Sequence, residues 1–250
     1  MIYLFAVFGL LIGSFLNVLI YRLPLEQDFV FKRSHCPQCQ QLVQWWMNIP
    51  VLSYLFLRAK CFYCQRLIHW RYPLVELLTG VMALYLAPQS LEMADLLVFA
   101  FQFSVFCLLL CHFFIDLDHY LLLDSLNLIL LALMLVYSYL HFPWTHWVFG
   151  AVLGFGLTLL VTWAFYRYSG KVGLGGGDIK LFGILGLYLG PIDVLNNLLL
   201  SCLLGIVIFG AMMLLRKQQA DQPMAFGPAI LVIAFMQIYF PNLISLIYLY

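Results

Sequence analysis

The chain has 250 residues, of which 65% are hydrophobic and 9% are charged, and its mean hydropathy is +0.99. This composition excludes an ordinary water-soluble domain and indicates an integral membrane protein. The aromatic fraction of 17% suits a helix bundle with interfacial anchors. The net charge is +1, and the chain has neither a basic tail nor an acidic run, so nothing indicates a nucleic-acid partner.

Eight apolar segments can be compared with the ~20 residues that a helix needs to cross a bilayer. The second and sixth are short, so we expect them to be tilted or kinked. The first lacks a basic region and a small-residue cleavage site, which favours a retained span over a cleaved signal peptide. We therefore predict an all-α polytopic membrane protein with about eight transmembrane helices. They lie at residues 1–20, 73–88, 96–115, 121–140, 148–166, 178–190, 194–215 and 226–249.

The distribution of Lys and Arg residues sets the orientation in the membrane. All twelve lie in or beside the polar stretch after the first span and the loops after the fifth and seventh. The predicted loops near 89–95, 141–147 and 191–193 contain none. The positive-inside rule therefore predicts that the basic loops are cytoplasmic and that both termini lie outside.

The polar stretch at residues 21–72 contains two C-x-x-C pairs separated by 21 residues. Each pair can place two thiolates on one turn, and two such turns complete a tetrahedral sulfur site that selects zinc over hard cations. Disulfides are the alternative, but the loop is predicted to be cytoplasmic, where they are rare. Because no coordination position is left open, we expect a structural role that helps a small zinc-ribbon-like loop to fold. The predicted ligands are Cys36, Cys39, Cys61 and Cys64, and His35 and His69 flank them as substitute ligands or surface residues.

Acidic residues at the ends of the spans are the candidates for chemistry, because an ionisable group near hydrocarbon depth is costly. Asp116 directly follows an apolar run, and Asp178 follows three glycines, Gly175–Gly177, which permit close backbone approach and unusual conformations. For Asp118 and Asp124 the simpler interpretation is a solvated turn in which Asp124 caps the next helix. Asp178 could likewise be only a helix cap.

Asp116 ends the third predicted span and Asp178 opens the sixth, so both are expected at the cytoplasmic side of the membrane. Two carboxylates that converge cannot both ionise cheaply, and such a pair holds one shared proton. The ionised member can then activate a water, while the protonated member donates to the developing oxyanion. This pattern predicts an intramembrane aspartyl protease in the segment 73–250.

Motifs along nearly the whole chain resemble those of the bacterial type IV prepilin peptidases, which are G-x-G-D aspartyl proteases. Several independent motifs occur in the family's order, which indicates common ancestry rather than coincidence. Besides the cysteine pairs, they are Gly13–Val18, Tyr21–Pro24, Asn48–Tyr54, Arg71–Glu76, Ile115–Asp124, Gly175–Lys180 and Phe226–Pro228.

The resemblance implies that Asp116 and Asp178 are the catalytic aspartates, with Gly175 and Gly177 supporting the motif. It implies removal of a short basic leader from prepilins and pseudopilins at the cytoplasmic face of the inner membrane, where the protein is embedded in lipid. It also implies N-methylation of the new amino terminus with S-adenosyl-L-methionine. Glu76 is a candidate for the methyl-transfer site, and its alternative is a first-turn helix residue that favours the helix dipole.

Three positions depart from the family pattern. Leu123 and Ala225 stand where the family has prolines, which should loosen loops without removing a reacting group, and Lys60 stands where a small linker often precedes the second cysteine pair.

Two other classes of protein remain open. A non-catalytic membrane scaffold with a zinc ribbon for a pilus or secretion machine would not need Asp116 and Asp178 on one face. A presenilin-like protease would share the aspartyl chemistry but would not require the cysteine loop.

Overall fold

The computed structural model describes residues 2–31, 33–171, 173–214 and 225–242. The chain forms two compact units, Met1–Cys111 and His112–Tyr250. The described residues are helical apart from turns, loops and two isolated β-bridges. Among them, five helices are long and apolar enough to cross a membrane. The prediction of an all-α polytopic membrane protein is therefore confirmed.

The first unit is built on two helices that cross closely. A Cβ atom added at Gly9 would lie 2.6 Å from the Cβ of Ala83, and one added at Gly13 would lie 2.7 Å from the Cα of Glu76. The spacing of these two glycines is the small-residue pattern that lets helix backbones approach in a membrane. The helices of this unit are α1 (Ile2–Arg22), the short α2 (Leu52–Phe56), α3 (Arg71–Tyr85) and the first part of α4 (Met93–His119).

The second unit begins with the last turns of α4 and continues through four further helices. They are α5 (Asp124–His141), α6 (Trp144–Ser169), α7 (Gly176–Leu214) and α8 (Gly227–Tyr239). Glycines again set the closest packing, between α6 and α7. A Cβ at Gly154 would enter the backbone of Phe182, and one at Gly150 would enter that of Gly186. The two backbones therefore touch, as small-residue membrane interfaces allow.

A break at Gly190 divides α7 into two helical segments. Gly190 has φ 78°, a left-handed conformation, and Pro191 follows it. The ring of His146 lies where a Gly190 side chain would be, and its Nε2 is 3.2 Å from the carbonyl oxygen of Tyr188. The predicted sixth and seventh spans, 178–190 and 194–215, meet at this break, so the loop expected at 191–193 is absent from the structure.

A buried polar network joins the second segment of α7 to α8. The Asn197 amide donates to Gln237 Oε1 at 2.8 Å, and the Ser201 hydroxyl donates to Asn197 Oδ1 at 3.1 Å. The amide of Gln237 in turn donates to the carbonyl oxygen of Asp193 at 2.8 Å. Because no water competes within a bilayer, satisfied amides of this kind hold helices together. The network thus fixes α8, the helix whose first residue belongs to the site described below.

Several helix ends differ from the predicted spans by a few residues, among them those of the third and eighth spans. The third span was expected to end at residue 115, but α4 continues to His119, so Asp118 lies in a helix rather than in a solvated turn. The eighth was expected over 226–249, and α8 covers Gly227–Tyr239, while residues 243–249 lie outside the described residues.

Candidate active site

Asp116 is held inside the last part of α4, on its buried face. Only 5% of the residue is exposed, and its Oδ2 has no hydrogen-bond partner among the described residues. His112, one turn earlier, is fully buried on the same face. A buried carboxylate oxygen without a hydrogen-bond partner is costly, and this is the feature expected of a functional group rather than of a structural one.

Asp178 lies in the first turn of α7, where it starts the buried stripe of the helix. Leu181, Phe182 and Leu185 continue that stripe and are fully buried. The Asp178 carboxylate lies beside the backbone of Gly175. Leu122 packs against Gly177, next to Asp178, and also lies within 3.5 Å of a Cβ added at Gly227, which abuts Asp116, so the two carboxylates lie in the same neighbourhood. The C-terminal end of α4 and the N-terminal end of α7 therefore bring together two carboxylates that are 62 positions apart in the sequence.

The three glycines before Asp178 have different surroundings. A Cβ at Gly175 would lie 3.0 Å from Asp178 Oδ2, and one at Gly177 would lie 2.8 Å from the Cβ of Leu122. A Cβ at Gly176 would meet nothing within 4 Å. None of the three has a positive φ, so the unusual conformation expected from the sequence is not present. The glycines instead permit close approach, and only the first and third of them need to be small.

Gly227, the first residue of α8, is a part of the site that the sequence argument did not single out. A Cβ added there would lie 2.5 Å from Oδ2 and 3.0 Å from Cγ of Asp116. The helix therefore presents bare backbone to the carboxylate. The Phe226–Pro228 motif marks this position in the sequence, but a motif at the start of an apolar span does not by itself indicate a wall of the site.

The other acidic residues near these helix ends are not in the same position. Asp124 is exposed and forms an ion pair with Lys180, with Nζ and Oδ1 2.7 Å apart. The N-cap residue of α5 is Leu123, and it makes no side-chain capping hydrogen bond. The capping role expected for Asp124 is therefore wrong, because α5 begins at this residue and its carboxylate binds Lys180. Asp118 is exposed on the last turn of α4.

In the first unit, the two cysteine pairs form equivalent turns. In the first turn, the Cys36 N–H donates to the Gln41 carbonyl at 2.9 Å, and Gln40 has φ 58°. In the second, the Cys61 N–H donates to the Arg66 carbonyl at 2.8 Å, and Gln65 has φ 57°. Each turn ends in an isolated antiparallel bridge, His35 with Leu42 and Lys60 with Leu67.

The four cysteine sulfurs converge at one point. All lie within 4.8 Å of one another, and the thiols are free. A tetrahedral site with Zn–S bonds of about 2.3 Å requires sulfurs about 3.8 Å apart, and Cys36 Sγ and Cys64 Sγ are 4.0 Å apart. The donor set fits zinc in number, chemistry and spacing. His35 and His69 are not members of this cluster.

The turn geometry also favours thiolate at one of these positions. Burial disfavours the charged form of Cys61, but the backbone N–H groups of Cys64 and Tyr63 outweigh it and lower its pKa to about 7. Backbone N–H groups that converge on a sulfur are what a metal-binding turn supplies. In the same cluster the Gln41 N–H favours the Cys39 thiolate, but burial and the neighbouring thiols outweigh it and raise the pKa of Cys39 to about 11, so the turn geometry favours thiolate at Cys61 and not at every cysteine.

Glu76 lies in the second turn of α3, because this helix begins at Arg71. The interpretation as a first-turn residue that favours the helix dipole is therefore wrong. Its Oε2 accepts a hydrogen bond from the backbone N–H of Val51 at 2.7 Å, and the residue is 8% exposed. Glu76 thus contacts the loop that connects the two cysteine turns.

Comparison with known proteins defines the class. Residues 7–90 match the bacterial peptidase A24 N-terminal domain, and residues 103–210 match the type IV leader peptidase family. The second match contains Asp116, Asp178 and the glycines before Asp178. The chain belongs to the type IV leader peptidase family.

Relatives that share nearly the full length carry one name, prepilin leader peptidase/N-methyltransferase. The protein of that name from Aeromonas salmonicida is 36% identical over 97% of this chain and 91% of its own. The one from Neisseria gonorrhoeae is 36% identical over 91% and 86%, and the one from Pseudomonas aeruginosa is 34% identical over 96% and 91%. No solved structure matches this chain.

Proposed function

We propose that the chain is an aspartyl endopeptidase of the bacterial inner membrane that removes the leader peptide from type IV prepilins and pseudopilins. The observation that carries this proposal is the convergence of Asp116 and Asp178, with an Asp116 oxygen buried and unpaired. A scaffold would not need two carboxylates in this arrangement. Membership of the leader peptidase family supplies the substrate class.

The proposed reaction follows from the carboxylate pair. Two facing carboxylates share one proton, because ionising both in a site of low polarity is costly. The ionised member takes a proton from a water that attacks the scissile carbonyl, and the protonated member donates to the oxyanion. Gly227 and Gly175 leave backbone, and no side chain, beside the two carboxylates. The backbone therefore lies directly against both carboxylates, which limits how far each of them can move.

The location of the site supports cleavage at the cytoplasmic face. Asp116 lies near the end of α4 and Asp178 near the start of α7. Two membrane-length helices, α5 and α6, lie between them in the sequence, so both aspartates are expected at the same side of the membrane. Within the same unit, Arg167 lies in the last turn of α6 and Lys171 in the loop before α7, and the positive-inside rule assigns a basic side of this kind to the cytoplasm. A substrate with a cytoplasmic leader and an apolar helix after the cleavage point could present its scissile bond there.

The first unit, residues 21–72 in particular, is proposed to bind one structural zinc through Cys36, Cys39, Cys61 and Cys64. The convergence of the four sulfurs supports this role. When bound, the metal would supply folding free energy to a loop that has little hydrophobic core of its own. Elemental analysis is expected to give one zinc per chain, and its absence, or disulfides in this loop, would contradict the assignment.

N-methylation of the new amino terminus with S-adenosyl-L-methionine is proposed from the family and from the name of the relatives. We place this activity in the first unit with Glu76 and the zinc loop, apart from the aspartate pair. Methyl transfer needs an amine that only cleavage creates, so the aspartates should be required on a full prepilin and dispensable on a pre-cut pilin.

The decisive experiment is mass spectrometry of a prepilin co-expressed with the protein, which detects leader loss and N-methylation together. Asp116→Asn and Asp178→Asn are each expected to abolish leader loss while the protein still inserts into the membrane. Asp118→Asn and Asp124→Asn are matched controls that should cost far less. Near-normal cleavage by Asp178→Asn would refute the protease and favour the scaffold. If Asp178→Asn loses methylation of a pre-cut pilin as completely as it loses cleavage, the proposal of two separate sites is refuted.

A further inference from the structure

Val51 has a backbone conformation that a β-branched residue rarely adopts. Its φ is 60° and its ψ is −47°, and the N–H of Leu52 donates to the carbonyl oxygen of Pro50 at 2.5 Å across it. This is a γ-turn with a positive φ, which is a rare and strained turn. Such a conformation persists only where neighbouring groups hold it in place.

The carboxylate of Glu76 is the group that meets this turn. Its hydrogen bond goes to the backbone N–H of Val51, so it contacts the strained residue itself. Ser14 on α1 contacts the same carboxylate. The bare backbone of Gly13 brings α1 against α3 at this point. One buried side chain therefore joins α1, α3 and the loop between the cysteine turns.

The turn at Val51 leads directly into the second cysteine turn. Val51 is the N-cap residue of α2, and its carbonyl accepts from the Leu55 N–H at 3.1 Å. The hydroxyl of Tyr54 then donates to the carbonyl of Ile68 at 3.4 Å, and the Ile68 N–H donates to the Ala59 carbonyl at 2.7 Å. These contacts enclose the segment that holds Cys61 and Cys64, so a shift of Val51 would be transmitted to it.

We propose that Glu76 is a positioning residue that holds the γ-turn at Val51 and thereby fixes the second cysteine turn of the zinc loop. The partner is a backbone N–H, so the requirement is for an acceptor atom rather than for a negative charge. The proposal rests on the methyl-transfer role proposed above: Glu76 supports methyl transfer by positioning the loop and not by contacting the reactants. The contacts that carry it do not depend on either enzymatic activity.

Limited trypsin digestion of the full-length protein in detergent tests the proposal, because Arg58 and Lys60 are exposed directly after α2. Glu76→Ala is expected to raise the cleavage rate at these residues ~10-fold or more, the effect of leaving the Val51 N–H without its acceptor. Glu76→Gln keeps an acceptor oxygen and should stay within about threefold of wild type. Glu92→Ala, which removes an exposed carboxylate of the same unit, is the matched control and should change nothing.

A second substitution tests the strain. Val51→Gly in the Glu76→Ala background should return the cleavage rate to within about threefold of wild type, because glycine adopts a positive φ without cost. Val51→Ala keeps the Cβ atom and should not rescue. Cleavage of Glu76→Gln as fast as that of Glu76→Ala would overturn the proposal, and so would the absence of rescue by Val51→Gly. If Glu76→Ala does not accumulate, Glu76→Gln alone decides: wild-type protection supports the proposal and raised cleavage overturns it.

Methylation of a pre-cut pilin by the same variants links the loop to function. The proposal expects methylation to follow loop protection, so that Glu76→Gln retains it. A Glu76→Gln variant with a protected loop and no methylation would overturn the positioning role in favour of direct contact with the reactants. Absence of methylation by the wild-type protein would instead count against the proposed methyltransferase, and the digestion result would stand apart from it.

Discussion

Gly227 is the position where one added methyl group should separate catalysis from folding. In Gly227→Ala the new Cβ would lie 2.5 Å from Asp116 Oδ2, whereas ordinary contact begins at 3.4 Å. The carboxylate would therefore have to move by about 0.9 Å. Alanine is at least as favourable as glycine in a helix, so we do not expect the substitution to unfold α8.

The size of the effect follows from that displacement. A misplacement of about 1 Å in a catalytic group can cost ~100-fold in rate, and we expect a loss of about this size in kcat/KM for leader removal. The movement also changes the distance from Asp116 to Asp178, on which the shared proton depends. The defect should therefore appear in kcat rather than in KM alone.

Cleavage of a purified prepilin by protein reconstituted in liposomes provides the assay. Gly176→Ala is the matched control, because a Cβ there meets nothing within 4 Å although it lies beside the same site. It should retain activity within a few-fold of wild type, and both variants should show the same melting temperature. Wild-type activity in Gly227→Ala would show that its backbone does not abut the reacting carboxylate, and would refute the described site.

Three further outcomes are expected. In Gly177→Ala the new Cβ would lie 2.8 Å from that of Leu122 and would displace it. We expect cleavage activity in the same assay to fall at least ~10-fold, with little change in stability. Gln237→Leu should lower the free energy of unfolding by about 1–2 kcal/mol, because it leaves the buried Asn197 amide without its partner. Thermal unfolding in detergent measures this change, and an unchanged melting temperature would contradict it. Cys61→Ser should reduce bound zinc to well below one per chain by elemental analysis, and full zinc retention would show that this thiolate is not a ligand.

The structure gives a physical reason for the spacing of the glycines before Asp178. A Cβ at Gly175 would lie 3.0 Å from Asp178 Oδ2 and one at Gly177 would lie 2.8 Å from the Leu122 Cβ, both closer than ordinary contact, while one at Gly176 would meet nothing within 4 Å. The two glycines of the G-x-G-D pattern therefore correspond to two close contacts at the start of α7, Gly175 with Asp178 and Gly177 with Leu122. Periodicity could not show this, because the partner residues belong to other parts of the chain.

Much of the site could be inferred from the sequence because its chemistry depends on residue types that are costly where they stand. Acidic residues at the ends of apolar spans and two cysteine pairs in a short loop have few alternative explanations. Gly227 and the role of Glu76 could not be inferred in this way. Glycine carries no chemistry of its own, and the partner of Glu76 is a backbone N–H that no sequence pattern marks.

The sequence by itself determined the class of protein, the approximate positions of the apolar helices and the residue types of both sites, since hydropathy, charge distribution and cysteine spacing are local properties of the chain. Only the tertiary structure decided that α4 extends past Asp116, that α7 breaks at Gly190, and that α8 places bare backbone against a carboxylate. These features depend on distances of a few ångströms between segments far apart in the chain. Such distances are set by helix packing, which local patterns do not encode.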